Sequence, residues 1–139
     1  MLIDSRSAIL LAIDFQPRLL SVMSDADKTV ATAERVLRFA ARLNLPTLFT
    51  EQYREGLGET DASLSALCPA APRIDKMTFS CYADPVVAKH LRPFSQVILM
   101  GVEAHICVLQ TALDLIQTST RTVYVIESAV TSRKPEEKA

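Results

Sequence analysis

Two histidines in 139 residues, His90 and His105, leave little material for an imidazole-based metal centre or a Ser–His–Asp relay. The three cysteines, Cys68, Cys81 and Cys107, show neither a disulfide framework nor a C-x-x-C metal spacing. A reducing, cytoplasmic compartment is the expectation that fits them. Long apolar runs are missing as well. Ala8–Ile13 and Val97–Met100 are far too short to span a bilayer. The opening MLIDSRSAILLAID has acids on either side of its apolar run and no basic stretch of the signal-peptide kind. A formal net charge of −1 provides no electrostatic footprint for nucleic acid and no polybasic patch for a membrane surface. With three glycines in all, no G-x-G-x-x-G follows the first apolar run, which argues against a dinucleotide-binding domain.

The remaining composition is globular: 49 % hydrophobic and 22 % charged residues, enough for one core and one domain over residues 1–139. Ser7–Ile13 reads as a buried strand closed by Asp14. Val30, Ala33, Leu37, Ala40 and Leu43 recur at three- and four-residue steps and predict a helix over about Asp27–Leu43, with Ser24 or Asp25 available to cap it. Pro46–Thr50 predicts a second strand, Ala62–Leu67 a short helix, and Pro85–Leu91 a helix with proline in its first turn. Gln96–Met100 is a strand, about Ala104–Thr118 a helix and Arg121–Ile126 a strand. Ser132–Glu137 has the proline and acids of a helix start, and the sequence stops soon after. Continuous apolar runs alternating with helices predict a parallel sheet covered on both faces.

Ligands of such sheets bind beyond the carboxyl ends of the strands. Asp14 follows the first strand, Glu51 and Gln52 follow the second, Gly101 ends a later one, and Lys76 in RIDKMTFSCY can reach the same edge. Cys107 sits where that later strand gives way to a helix. Its position supports two readings. Free cysteine is commonly a buried small hydrophobe. Yet Cys107 lies off the apolar stripe Ile106, Leu109, Leu113, Ile116, and a first helical turn favours thiolate. Asp14 is equally a turn-maker or a general base, and Lys76 a solvated lysine or a fixed positive charge. Cys68 and Cys81 have no acid or base at telling spacing. A receiver-like signalling domain would need a pair of acids at the first strand, where LAIDFQ has one. A non-catalytic oligomerisation subunit is a third possibility.

Five stretches, LLAIDFQ (Leu10–Gln16), FTEQY…GLGET (Phe49–Thr60), DKMTFSCY (Asp75–Tyr82), GVEAHICVLQTALDL (Gly101–Leu115) and ESAVTSR (Glu127–Arg133), together resemble the isochorismatase-like cysteine hydrolase family over essentially the whole chain. The resemblance implies a doubly wound (Rossmann-like) α/β fold, a parallel sheet with helices on both faces. Family members usually continue through another helix and strand, so this chain is expected to lack the final helix–strand unit. The family's triad maps onto Asp14, Lys76 and Cys107. A cis peptide is implied at Val102–Glu103, with the backbone amides of Glu103 and Cys107 forming an oxyanion hole. Cleavage of a small amide-like C–N bond through a thioester follows. Phe15, Gln16, Tyr53 and Phe79 are the expected substrate-binding residues. Nicotinamidases of the family carry an Asp-x-His metal motif after the second strand, whereas Thr50-Glu51-Gln52-Tyr53-Arg54 has no histidine. The chain therefore looks more like the uncharacterised hydrolase branch, with neither metal nor cofactor, a small-molecule substrate, no nucleic-acid or membrane partner, and a homo-oligomeric state.

Overall fold

The computed structural model describes residues 2–139. Its elements, in chain order, are β1 (Ala8–Ile13), α1 (Pro17–Leu20), α2 (Ala26–Arg42), β2 (Thr47–Gln52), α3 (Arg54–Leu57), α4 (Ala62–Ser65), β3 (Arg73–Lys76), α5 (Pro85–Leu91), β4 (Gln96–Val102), α6 (Leu109–Thr118), β5 (Thr122–Thr131) and α7 (Pro135–Lys138). The five strands are all parallel, in the order β3-β2-β1-β4-β5. The chain winds outward from β1 to β3, then returns to the other side of β1 with β4. In open α/β sheets the carboxyl ends of the strands at such a reversal are where ligands bind.

Every residue of β1 and of β4 is buried, which is why both read as unbroken apolar runs rather than alternating ones. Along β1, Ala8, Leu10 and Ala12 pack under Ala33, Leu37 and Ala40 of α2. The intervening Ile9, Leu11 and Ile13 pack against Val87 and Leu91 of α5 and Leu115 of α6. Helices thus cover both faces of a doubly wound sheet. Asp84 caps α5 by accepting the amides of Val86 and Val87, with Pro85 at its first position. Among the described residues no helix is long and apolar enough to cross a membrane.

Two of the differences from the sequence expectation bear on the site. Arg73–Lys76 is a strand, paired to β2 with Gln52 opposite Lys76; three of its four residues are charged, so it shows no apolar run. The segment predicted as one helix from Ala104 begins as a π-helical turn over Ala104–Val108, with the Val108 amide donating to the Glu103 carbonyl at 3.1 Å, and becomes α-helical only from Leu109. The wider turn rotates α6 relative to a continuous α-helix. Within α6, Thr111 and Leu115 face the core, while Leu109, Leu113 and Ile116 face outward. The sequence's most regular apolar stripe is a surface stripe.

Gly101 lets the carboxyl ends of β1 and β4 come together. It pairs with Ile13 at φ +132°, and a Cβ there would lie 2.0 Å from the Ile13 carbonyl oxygen. No side chain fits between the ends of β1 and β4.

Candidate active site

Asp14 leaves β1 in the left-handed region, at φ +55°, a conformation that aspartate tolerates better than most residues. The residue is wholly buried. Its amide donates to the Thr50 carbonyl at 3.1 Å, and the Thr50 hydroxyl donates to its Oδ1 at 2.8 Å. Lys76, at the end of β3, reaches across the strand ends. Its Nζ lies 3.1 Å from Asp14 Oδ2, 2.5 Å from Gln52 Oε1, 2.8 Å from the Thr78 carbonyl and 3.3 Å from the Phe79 carbonyl. Cys107 Sγ is 3.8 Å away. Burial pulls this ammonium down, but the Asp14 carboxylate beside it outweighs burial, and Lys76 is held above its ordinary value. Burial raises Asp14 above the usual carboxylate range, against the opposing pull of Lys76 and Thr50.

Cys107 arrives from the other half of the sheet. The Val102–Glu103 peptide is cis, and the π-helical turn that follows turns the cysteine inward, where it is 7 % exposed. Burial first, then the Asp14 carboxylate, pushes its thiol up to about 12, although Lys76 pulls the other way. Burial and the Asp14 carboxylate thus favour the thiol form of Cys107, which is paired with Asp14. The expected preference for thiolate at a helix start is overridden here, because a partial helix charge is weaker than desolvation beside an anion. Thr111 ties this turn to the segment after β3: its hydroxyl accepts the Cys81 amide at 2.9 Å and donates to the Cys107 carbonyl at 2.6 Å.

The four expected substrate-binding residues divide into two pairs. Phe15 is fully buried in the core on the α2 side, the face of the sheet opposite Cys107. Gln16 is also fully buried, and both ends of its amide serve the loop after β2: Nε2 donates to the carbonyls of Gln52 (2.9 Å) and Gly58 (2.7 Å), and Oε1 accepts the Gln52 amide at 2.6 Å. Packing and loop support occupy these two. Tyr53 and Phe79 are exposed and directly follow the residues that surround Lys76; the Tyr53 amide donates to the Lys76 carbonyl at 3.0 Å.

Sequence patterns did not single out Thr50, Thr111 or the role of Glu51, because a buried hydroxyl or carboxylate has no spacing signature until its partner is placed. Glu51 is wholly buried. It accepts the Thr60 amide (2.5 Å) and hydroxyl (2.8 Å) and the Arg54 guanidinium (2.5 Å). Burial would raise its pKa, but these donors together hold it below the ordinary 4.5. A depressed folded pKa adds stability above the unfolded value and loses it as pH falls through the folded one. The 53–60 loop is therefore expected to loosen only below pH 4.5. The Thr60 amide resonance should titrate there, and a midpoint above 4.5 would contradict the assignment.

One further group could approach a cation. Ligand atoms of Glu103, His105 and Glu137 lie within 4.8 Å of one another. Each already has a protein partner: Glu103 accepts the Arg133 amide at 3.2 Å, His105 Nδ1 meets the Ser132 hydroxyl at 2.8 Å, and Glu137 accepts the Lys134 amide at 3.3 Å. The His105 ring lies 3.9 Å from Glu137 Oε2, a contact that links α7 to the turn holding Cys107.

Residues 8–139 match the isochorismatase domain model. A mouse protein, isochorismatase domain-containing protein 2A, is 37 % identical over 130 residues, which cover 91 % of this chain and 61 % of the relative. The chain thus spans about three fifths of that relative's length. Among solved structures, the MAR1 ribonuclease from Caenorhabditis elegans superposes with a TM-score of 0.91 at 34 % identity, covering 98 % of this chain and 70 % of that one. The YcaC gene product from Escherichia coli, described as an octameric hydrolase of unknown specificity, gives a TM-score of 0.91 at 27 % identity, covering 98 % and 69 %.

Proposed function

Because the chain belongs to the isochorismatase domain family of hydrolases, we propose that it is a cysteine-dependent hydrolase that cleaves a small amide-like C–N bond through a thioester. The observation that carries this reading is the meeting of three strand ends. Lys76 Nζ lies 3.1 Å from the Asp14 carboxylate and 3.8 Å from the Cys107 sulfur, and all three residues are buried.

A thiol at about 12 supplies almost no thiolate at neutral pH, so deprotonation and attack must be coupled. Asp14 takes the Cys107 proton as sulfur adds to the substrate carbonyl. Its carboxylate, made more basic by burial, suits that role. The amides of Glu103 and Cys107 hold the resulting oxyanion, at about 3 kcal/mol per donor. The tetrahedral adduct collapses as Asp14 returns its proton to the departing amine, leaving a thioester on Cys107. Water then adds, with Asp14 again accepting the proton, and collapse releases the carboxylic acid and the thiol. Lys76 stays charged throughout and keeps the carboxylate oriented.

The reading extends to the assembly. Leu109, Leu113 and Ile116 form an exposed apolar stripe on α6, suited to a homo-oligomer of the kind described for YcaC. Nuclease activity, printed for the C. elegans relative, is less well supported: the net charge is −1 and the cation in the site, Lys76, is already surrounded by protein acceptors.

The test is a panel of small primary and secondary amides, with short RNAs alongside, and intact-mass detection of acyl-enzyme after rapid acid quench. Amide turnover with acyl mass on the Cys107 peptide is expected. RNA cleavage without amide turnover, or acyl mass on another residue, would reject the proposal.

A further inference from the structure

Thr50 holds residue 14 at two points. Its carbonyl accepts the Asp14 amide at 3.1 Å, and its hydroxyl lies 2.8 Å from Asp14 Oδ1. On its other side that hydroxyl is 3.7 Å from Cys81 Sγ. Thr50, Asp14 and Cys81 are all fully buried. A hydroxyl has one proton and an ionised carboxylate can only accept, so the Thr50 proton belongs to Asp14. The Cys81 contact then has the thiol as donor. The result is a directed chain, Cys81 S–H to Thr50 O–H to Asp14 carboxylate, in which each bond polarises the next. Burial pushes the Cys81 thiol up to about 11, which suits a neutral donor.

Rotation of an aspartate carboxylate about χ2 is soft. Lys76 grips Oδ2 and Thr50 grips Oδ1; with either grip alone the carboxylate could swing away from Cys107. We propose that Thr50 is a positioning residue for the base, its hydroxyl oriented by the Cys81 thiol so that Asp14 stays ionised and aimed at Cys107. This gives Cys81, which the hydrolytic steps do not use, a part in the site. The inference rests on the reading of Asp14 as the base, and its experiment separates the two.

The measurement is the rate of iodoacetamide alkylation at Cys107, followed by peptide mapping from pH 4 to pH 9 or so, in the wild type, Thr50→Val, Thr50→Ser and Asp14→Asn. Where Asp14 accepts the thiol proton, the wild-type rate falls on the acid side as Asp14 protonates. Thr50→Val removes the donor and is expected to move that acid limb upward by about one pH unit, the size of one lost hydrogen bond to a carboxylate. Thr50→Ser, which keeps the donor, should restore it. Thr50→Ala is a second donorless variant, to be used if valine does not fold. Coincident limbs in the wild type and the donorless variant, with the limb gone in Asp14→Asn, overturn the inference and leave the base reading intact. A limb that persists in Asp14→Asn overturns both.

Discussion

Cys107→Ala is expected to lower amide turnover by about 10³-fold or more while the protein stays folded. Neither remaining cysteine can replace it. Cys81 is fully buried with its thiol engaged by Thr50. Cys68 contacts the Leu37 carbonyl at 3.7 Å, on the α2 side of the sheet. Serine at position 107 should be equally inactive, because a hydroxyl is a far weaker acid than a thiol and Asp14 would have to remove its proton in the same buried place. Loss of one sulfur from a packed site costs about 1 kcal/mol, so thermal melting should move by only a few degrees. Steady-state rates and a melting curve on the same sample check both halves. Turnover within tenfold of the wild type would remove Cys107 from the mechanism.

Lys76→Met is expected to cost about 3–5 kcal/mol at neutral pH, a large fraction of a typical domain's stability, and to abolish turnover as well. Methionine matches the stem of lysine but leaves the wholly buried Asp14 carboxylate without its cation. Asp14 is already raised by burial, with Lys76 the main opposing influence, so the substitution raises it further. A raised folded pKa contributes stability below the unfolded value and loses it as pH rises through the folded one. The deficit should therefore shrink as the solution is acidified and grow toward neutrality. Denaturant titrations at several pH values distinguish this from simple loss of packing, which would give a deficit independent of pH.

The sequence revealed most where a single physical signal decides the structure. β1 and β4 are buried on both faces and appear as unbroken apolar runs; α2 is amphipathic and appears as a stripe; α5 begins at a capped proline. β3 was missed because it is a short edge strand with three charged residues. On α6 the regular apolar stripe Leu109, Leu113, Ile116 is exposed and Thr111 with Leu115 is buried, so apolar spacing alone did not mark the face that packs. In the candidate site, the meeting of Asp14, Lys76 and Cys107 at one edge of the sheet was legible through position and resemblance. Phe15 and Gln16 were not, since whether an aromatic ring or an amide next to a candidate base faces a cavity or the interior depends on the direction in which the chain leaves β1. That direction is set by the left-handed conformation of Asp14, which brings Gln16 under the loop after β2.

The contact between Gly101 and Ile13 also divides the molecule into parts that can and cannot vary. Asp14 immediately follows the end of β1 and Cys107 lies five residues beyond the end of β4, and where Gly101 meets Ile13 no side chain separates the two strands. Their spacing is inherited from main chain, so exchanging side chains elsewhere cannot retune it by degrees; a larger residue at 101 would break it outright. Side-chain variation that leaves this approach intact is left to the periphery, where Tyr53 and Phe79 are exposed.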